Sequence, residues 1–213
     1  MYKFSKPYEN IQGSFIRNIL KLANQKDYIS FAGGLPNDKL FPRDQLKQVF
    51  KNYSKNLPTD IFQYAPTAGL QKLIELIKTQ FQLKEELLIS NGSQQALDLI
   101  SAVFINKNDK ILVEEPTYLG ATGVFKSYGA FCDCVPLEID GINLEILEMK
   151  LKKNNYKFLY IIPNFQNPSS ISYSNQKRKI LAKLAIKYKL LIIEDDPYAY
   201  LHFKNKIKVK IFD

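Results

Sequence analysis

Three carboxylates in a row, Glu194, Asp195 and Asp196, close the apolar run at residues 190–193, and Pro197 and Tyr198 follow within LLIIEDDPYAY. Four apolar residues, two of them β-branched, make a strand buried on both faces, and the proline ends pairing there. Ligands of open α/β sheets collect beyond the carboxyl ends of such strands, so an acid at this place is either a ligand group or a solvated strand exit. Two further exits carry polar groups. VEEPTYLG, residues 113–120, presents Tyr118, whose ring can lie flat against a planar ligand or simply fill the core. YIIPNFQNPSS, residues 160–170, presents Asn167 ahead of Pro168, an arrangement that aims an amide or merely makes a turn.

A fourth stretch, LLISNGSQQALDLISAVF at residues 87–104, reads as strand, glycine turn and helix. A helix that starts just after a small-residue turn directs unpaired amides and the positive end of its dipole at an anion. Gly92 gives such a ligand room, and Ser93 supplies an amide and a hydroxyl, or serves as an ordinary cap. Neither GxGxxG nor GK[ST] is present, so the nucleotide fingerprints are absent. Taken in order, each at the exit of a successive strand, these groups describe a pocket for a phosphorylated heteroaromatic cation: an anion cradle, a stacking aromatic, an amide, and a carboxylate with Tyr198 three residues on.

The elements needed to position them are legible as an alternation. The patterning predicts strands at Leu87–Ser90, Lys110–Val113, Ala130–Val135, Phe158–Ile162 and Leu190–Glu194. Between them it predicts helices at Gln94–Phe104, near Gly120–Ser127, at Leu144–Lys153 and at Ser174–Tyr188. That rhythm implies an α/β fold of three layers, a mainly parallel sheet with helices on both faces. In the helix at 94–104 the expected buried side is Ala96, Leu99, Ile100 and Val103. Ahead of the alternation come an arm and a helix in residues 1–30, with Ile16, Ile19, Leu20 and Ala23 on one face and Arg17 off it. A short helix follows at Arg43–Tyr53 with Leu46, Val49 and Phe50 inward, then a turn at QYAPTAGL leading to a helix carrying Leu70, Leu73, Ile74 and Ile77.

Composition is that of a globular protein of 213 residues, 46% hydrophobic and 24% charged. The net charge of +9 is spread over helix faces and a lysine-rich tail, Lys204–Lys210, which reads as solvated basic surface rather than a nucleic-acid partner. Cys132 and Cys134 are too close for a useful disulfide and lack partners for a metal site; they read as reduced packing residues. The first ten residues have no apolar core for secretion, and no run is long enough to span a bilayer, so the expectation is a cytoplasmic chain without membrane association.

In their order SFAGGLP, QYAPTAGL, NGSQQALDL, EEPTYLGA, NFQNP and EDDPYAYL, from about Ile11 to Phe203, these segments give the chain a specific resemblance. It resembles the pyridoxal-phosphate-dependent class I/II aminotransferases of fold type I, and within them the 2-aminoadipate, kynurenine and broad aromatic or aliphatic group. The resemblance implies that Ser93 and Gln94 bind the cofactor phosphate, that Tyr118 stacks on the pyridine ring, and that Asn167 and Tyr198 share the ring oxygen. It implies that Asp195 pairs with the ring nitrogen, and that Tyr64 reaches a partner's phosphate across a homodimer interface. Gly34 and Asn167 would border the substrate, and Arg17 would meet an acidic substrate side chain. Residues 1–46 would form an arm and a small-domain segment, and 47–213 the cofactor-binding large domain. The substrates implied are an amino acid and a 2-oxo acid such as 2-oxoglutarate.

One departure from the pattern is expected to matter. The lysine that holds the cofactor covalently lies, in the family, in a Ser-x-Ser-Lys type segment a few tens of residues beyond the Asp-Tyr pair, and the sequence has no such segment before Asp213. Lys204, Lys206, Lys208 and Lys210 follow Tyr198 too closely to serve. By the resemblance, two strands that separate Leu87–Ser90 from the strand ending at Asp195 would also be missing. The expectation is an amino-terminal part of such an enzyme, with transamination absent or very slow for this polypeptide alone. The alternative from a different class is a sensor that holds the cofactor without covalent linkage, related to aminotransferase-like transcription regulators.

Overall fold

The computed structural model describes residue 34, residues 36–201 and residue 211. The expected amino-terminal helix with Arg17 and the lysine tail at 204–210 lie outside the described residues. The described chain falls into two compact units that meet in sequence between Ile89 and Ser90.

Within residues 34–89, helix α1 spans Arg43–Tyr53 and helix α2 spans Gln71–Phe81. Both match the periodicity, but their apolar stripes are not covered as expected. Leu46, Val49 and Phe50 of α1 are 49%, 61% and 70% exposed. In α2 only Ile74 is buried, while Leu70 and Leu73 are exposed. The stripes are real, but in the described residues only Ile74 and, in part, Ile77 are covered. The expected strand at Leu87–Ser90 is also absent, and the segment joins no ladder. A strand exists only by pairing; here Ile89 donates a single bond to the Ala68 carbonyl at 2.8 Å.

From Ser90 onward the alternation holds. Helix α3 is Ser93–Phe104, strand β1 Lys110–Glu115, helix α4 Leu119–Ser127 and strand β2 Phe131–Glu138. A two-residue strand β3, Gly141–Ile142, follows; then come α5 Leu144–Lys153, β4 Phe158–Ile161, α6 Asn175–Tyr188 and β5 Leu191–Glu194. The sheet order is β3-β2-β1-β4-β5, parallel throughout except for the short antiparallel β2–β3 pair. Side-chain alternation along the buried strands feeds two cores. Leu112, Leu159 and Ile161 face Leu147 of α5 and Leu181, Leu184 and Ala185 of α6. Ile111, Val113, Phe158 and Tyr160 face Leu97 of α3 and Ala121 and Phe125 of α4. The result is the three-layer α/β architecture.

Caps explain the helix ends. Asn143 accepts from the Ile146 amide and Ser174 from the Lys177 amide, so α5 and α6 begin where their capping residues sit. The face of α3 differs from the expected one. Leu97 and Ser101 are buried and Ala96 and Ile100 half-buried, whereas Leu99 and Val103 are exposed. The helix is apolar on most of its circumference, so periodicity alone places the stripe one residue off. Ser101 can join the core because its hydroxyl is satisfied by the Leu97 carbonyl at 2.7 Å.

Candidate functional site

Because β1, β4 and β5 are parallel neighbours, their carboxyl ends share one edge of the sheet. Beyond β1 the chain reaches Tyr118, the residue that precedes α4. Beyond β4 it reaches Asn167. One residue past β5, Asp195 extends the ladder by donating its amide to the Ile161 carbonyl at 2.9 Å. The Glu115–Pro116 and Asn167–Pro168 peptide bonds at this edge are cis.

Four contacts tie the edge together. The Tyr118 hydroxyl lies 3.4 Å from Gln94 Oε1, and Gln94 Nε2 donates to the Gly120 carbonyl at 3.3 Å, which brings the start of α3 to the exit of β1. Asn167 Nδ2 lies 3.5 Å from the Tyr198 hydroxyl. Tyr160, on β4, donates its hydroxyl to Asp195 Oδ2 at 2.8 Å. Tyr160 is also within electrostatic reach of Glu114 and Tyr118, which links the Asp195 carboxyl to the β1 side of the edge. Gln94 is thus paired with Tyr118, Asn167 with Tyr198 and Asp195 with Tyr160, and Ser93 opens α3 beside Gln94. Tyr64 and Gly34 belong to the other compact unit, where both are exposed, and Arg17 lies outside the described residues.

Local conformation keeps the cradle open. Gly92, just before α3, has φ +91° and makes no side-chain cap, and a Cβ built there would meet nothing within 4 Å. The first amides of α3 therefore remain directed outward beside Ser93. Gly120 has the opposite role: a Cβ there would come within 2.4 Å of the Tyr118 ring, so only glycine lets that ring lie over the start of α4. Partial burial raises the Asp195 carboxyl above the ordinary carboxylate range, and the Tyr160 hydrogen bond pulls it back down.

Sequence reasoning missed the network beneath the edge. Glu114, one residue past the expected end of the strand at Val113, is instead inside β1 and fully buried. Its oxygens accept from the Tyr173 hydroxyl at 2.8 Å, Gln166 Nε2 at 3.0 Å and the Ile162 amide at 3.2 Å. Gln166 also donates to the Pro116 carbonyl at 2.7 Å and accepts from the Ser169 amide at 2.8 Å, so one side chain staples the loop carrying Asn167 to the strand exit carrying Tyr118. Asp196, assigned no role by the resemblance, accepts from Asn164 Nδ2, which in turn holds the buried Arg178. A signal existed for Tyr160 and Glu114: each puts a polar atom inside a strand otherwise apolar enough to be buried on both faces.

A carboxylate, an amide and hydroxyls gathered with a stacking-type ring and an uncapped helix start form a set that can hold a flat, anionic, nitrogen-bearing molecule. The model of the family "Aminotransferase class I and II" matches residues 27–211, and the chain belongs to that family. It is 37% identical to aromatic-amino-acid aminotransferase 1 of Thermococcus litoralis, over 95% of this chain and 52% of that one. The structure of Pyrococcus horikoshii kynurenine aminotransferase, in complex with PMP, KYN as substrates and KYA as products, matches with a TM-score of 0.89 at 36% identity. The match covers 98% of this chain and 54% of that one. The α-aminoadipate aminotransferase of Thermus thermophilus, complexed with N-(5'-phosphopyridoxyl)-L-leucine, also matches with a TM-score of 0.89 at 36% identity, over 98% and 53% of the two chains. The chain spans about half the length of these relatives. Among the described residues, no helix is long and apolar enough to cross a membrane.

Proposed function

We propose that the sheet edge holds pyridoxal 5'-phosphate and serves an aminotransferase that moves an amino group from an amino acid of the 2-aminoadipate, aromatic or aliphatic type to a 2-oxo acid such as 2-oxoglutarate. The donor set fits the cofactor on its own chemistry. Asp195 Oδ2 is taken by Tyr160, while Oδ1 makes no hydrogen bond among the described residues and can meet a ring N–H. At the start of α3, open space lies over Gly92 where a phosphate would sit. Nearby, Thr117 Oγ1 is buried without a partner among the described residues, a polar atom of the kind a ligand satisfies. When bound, the cofactor supplies an electron-accepting pyridine ring for the electrons released as a substrate α-proton leaves.

In this reading the Asp195 carboxylate keeps the ring nitrogen protonated, a charge-assisted contact worth on the order of 1.5–3 kcal/mol. Ser93 and Gln94 hold the phosphate with the amides of α3. Tyr118 covers one face of the ring and excludes water from it. Asn167 and Tyr198 donate to the ring oxygen, and their 3.5 Å separation leaves an acceptor room to draw both in. Residues 1–46 act as arm and small-domain segment, and residues 47–213 as the large domain. The roles of Gly34 and Arg17 at the substrate, and of Tyr64 across a homodimer, rest on the family resemblance.

The observation that carries the reading is Asp195, with one oxygen engaged and one available, on the same edge as Tyr118 and the start of α3. Pyridoxamine 5'-phosphate tests it, because its amine cannot add to surface lysines. Titration of the purified chain, followed by cofactor fluorescence, is expected to saturate, and Asp195→Asn to weaken binding by about ten- to a hundredfold. Absence of saturable binding, or equal affinity in Asp195→Asn, would overturn the reading.

A further inference from the structure

We infer that Tyr160 is a positioning residue for Asp195, its hydroxyl gripping Oδ2 so that Oδ1 is presented to the ring nitrogen of the cofactor. The inference rests on the proposed cofactor reading and deepens it.

Asp195 is anchored twice by adjacent residues of one strand. Its amide bonds to the Ile161 carbonyl and its carboxyl accepts from the Tyr160 hydroxyl, at 2.9 and 2.8 Å. The register Tyr160↔Ile193 and Ile161↔Glu194 puts Asp195 two residues beyond the partner of Tyr160, on the same face of the sheet. Tyr160 cannot swing away. It is fully buried, and its ring meets Phe125 of α4 edge-on at 5.5 Å, with Phe125 itself edge-on to Phe158 at 5.4 Å. A buried hydroxyl left without a partner is costly, so this ring stays where its oxygen reaches the carboxylate.

The hydroxyl also remains a donor. Burial, with the neighbouring carboxyls of Asp195 and Glu114, holds its proton on, well above the neutral range. Of the other charged groups nearby, Asp196 adjoins Asp195 in the chain, and Arg178 lies within electrostatic reach of Asp196 and Glu194. Neither donates to Asp195. Tyr160 is the one side chain that does so among the described residues, and its hydrogen bond opposes the upward push of burial on the carboxyl.

Tyr160→Phe removes the donor and keeps the ring. The affinity of the chain for pyridoxamine 5'-phosphate is measured from pH 4.5 to 8 in wild type, Tyr160→Phe and Asp195→Asn, with thermal melts to confirm folding. The expected result in Tyr160→Phe is a fall of about three- to tenfold at neutral pH, together with a shift of the acid limb of the profile to higher pH. Because loss of the hydroxyl can also unsettle the core, 3-fluorotyrosine at position 160 gives a second arm. Its hydroxyl is a stronger donor in the same packing, and it is expected to move the acid limb the opposite way, to lower pH. A purely structural role would lower the melting temperature and leave the acid limb in place. Unshifted profiles in both variants, with Asp195→Asn still weak, would overturn the role of Tyr160 and leave the cofactor reading standing. Wild-type affinity in Asp195→Asn would bring down both.

Discussion

Glu114 is a buried carboxyl whose three partners, Tyr173, Gln166 and the Ile162 amide, are all neutral. Burial pushes it up to about 7 from an ordinary 4.5, and the three donors oppose the rise only in part. Between those two values the folded chain keeps a proton that the unfolded chain has lost, so stability falls as pH rises from about 4.5 to about 7 and stays reduced above. The loss is on the order of 3 kcal/mol. Glu114→Gln cannot titrate, and it is expected to gain on the wild type between about pH 5 and pH 7 and to hold that gain at pH 8. Urea midpoints at four pH values measure this, and a constant difference between the two proteins would show that Glu114 does not ionise in that window. At this scale the sequence separates what is local from what is not. Asp195, Asn167 and Tyr118 could be nominated from the sequence because each lies within five residues after a short apolar run. The grip of Tyr160 on Asp195 and of Gln166 on Glu114 joins residues 35 and 52 positions apart, which no local pattern encodes.

Elements were legible where an end was marked by its own chemistry. Helix α5 matches its expected bounds because Asn143 caps it and Asn154 ends it, and β4 and β5 stand out as short apolar runs between helices. The two-residue β3 is too short to show a pattern. The expected strand at Leu87–Ser90 failed for a different reason: its apolar run is real, but a ladder needs a neighbour. Helix α4 carries a prediction of its own. Its start is shaped by the approach of the Tyr118 ring to Gly120, where a Cβ would lie at 2.4–2.5 Å from three ring and hydroxyl atoms. Gly120→Ala is expected to leave the helix intact, since alanine favours it, but to push the tyrosine off the sheet edge. Loss of ring stacking corresponds to about 1 kcal/mol, so pyridoxamine 5'-phosphate affinity should fall by roughly fivefold with little change in melting temperature. A variant that binds as tightly as wild type would mean that Tyr118 does not cover the ring.

Across the described residues, apolar burial is very unevenly distributed. The unit that begins at Ser90 holds two hydrophobic cores, one on each face of the sheet, with Ile111, Leu112, Val113, Phe158, Leu159 and Ile161 wholly inaccessible. Among the described residues of 34–89, Ile74 alone is buried, while Phe50, Phe62 and Leu76 are 70%, 76% and 60% exposed. At about 25 cal/mol per Å² of apolar surface removed from water, α1 and α2 gain little beyond their own hydrogen bonds, and helices of 11 residues are marginal without packing. Local opening should therefore cost far less in 34–89 than in the sheet. Hydrogen exchange read by mass spectrometry is expected to show the amides of α1 and α2 exchanging within seconds at neutral pH, and those of β1 and β4 protected for hours. The same exposed stripes should bind an apolar dye, and Val49→Lys with Phe50→Lys should reduce that fluorescence without altering protection in β1 and β4. Slow exchange in α1 and α2 of the isolated chain would mean that their apolar faces are covered in solution, and that the stability of this unit comes from contacts outside the described residues.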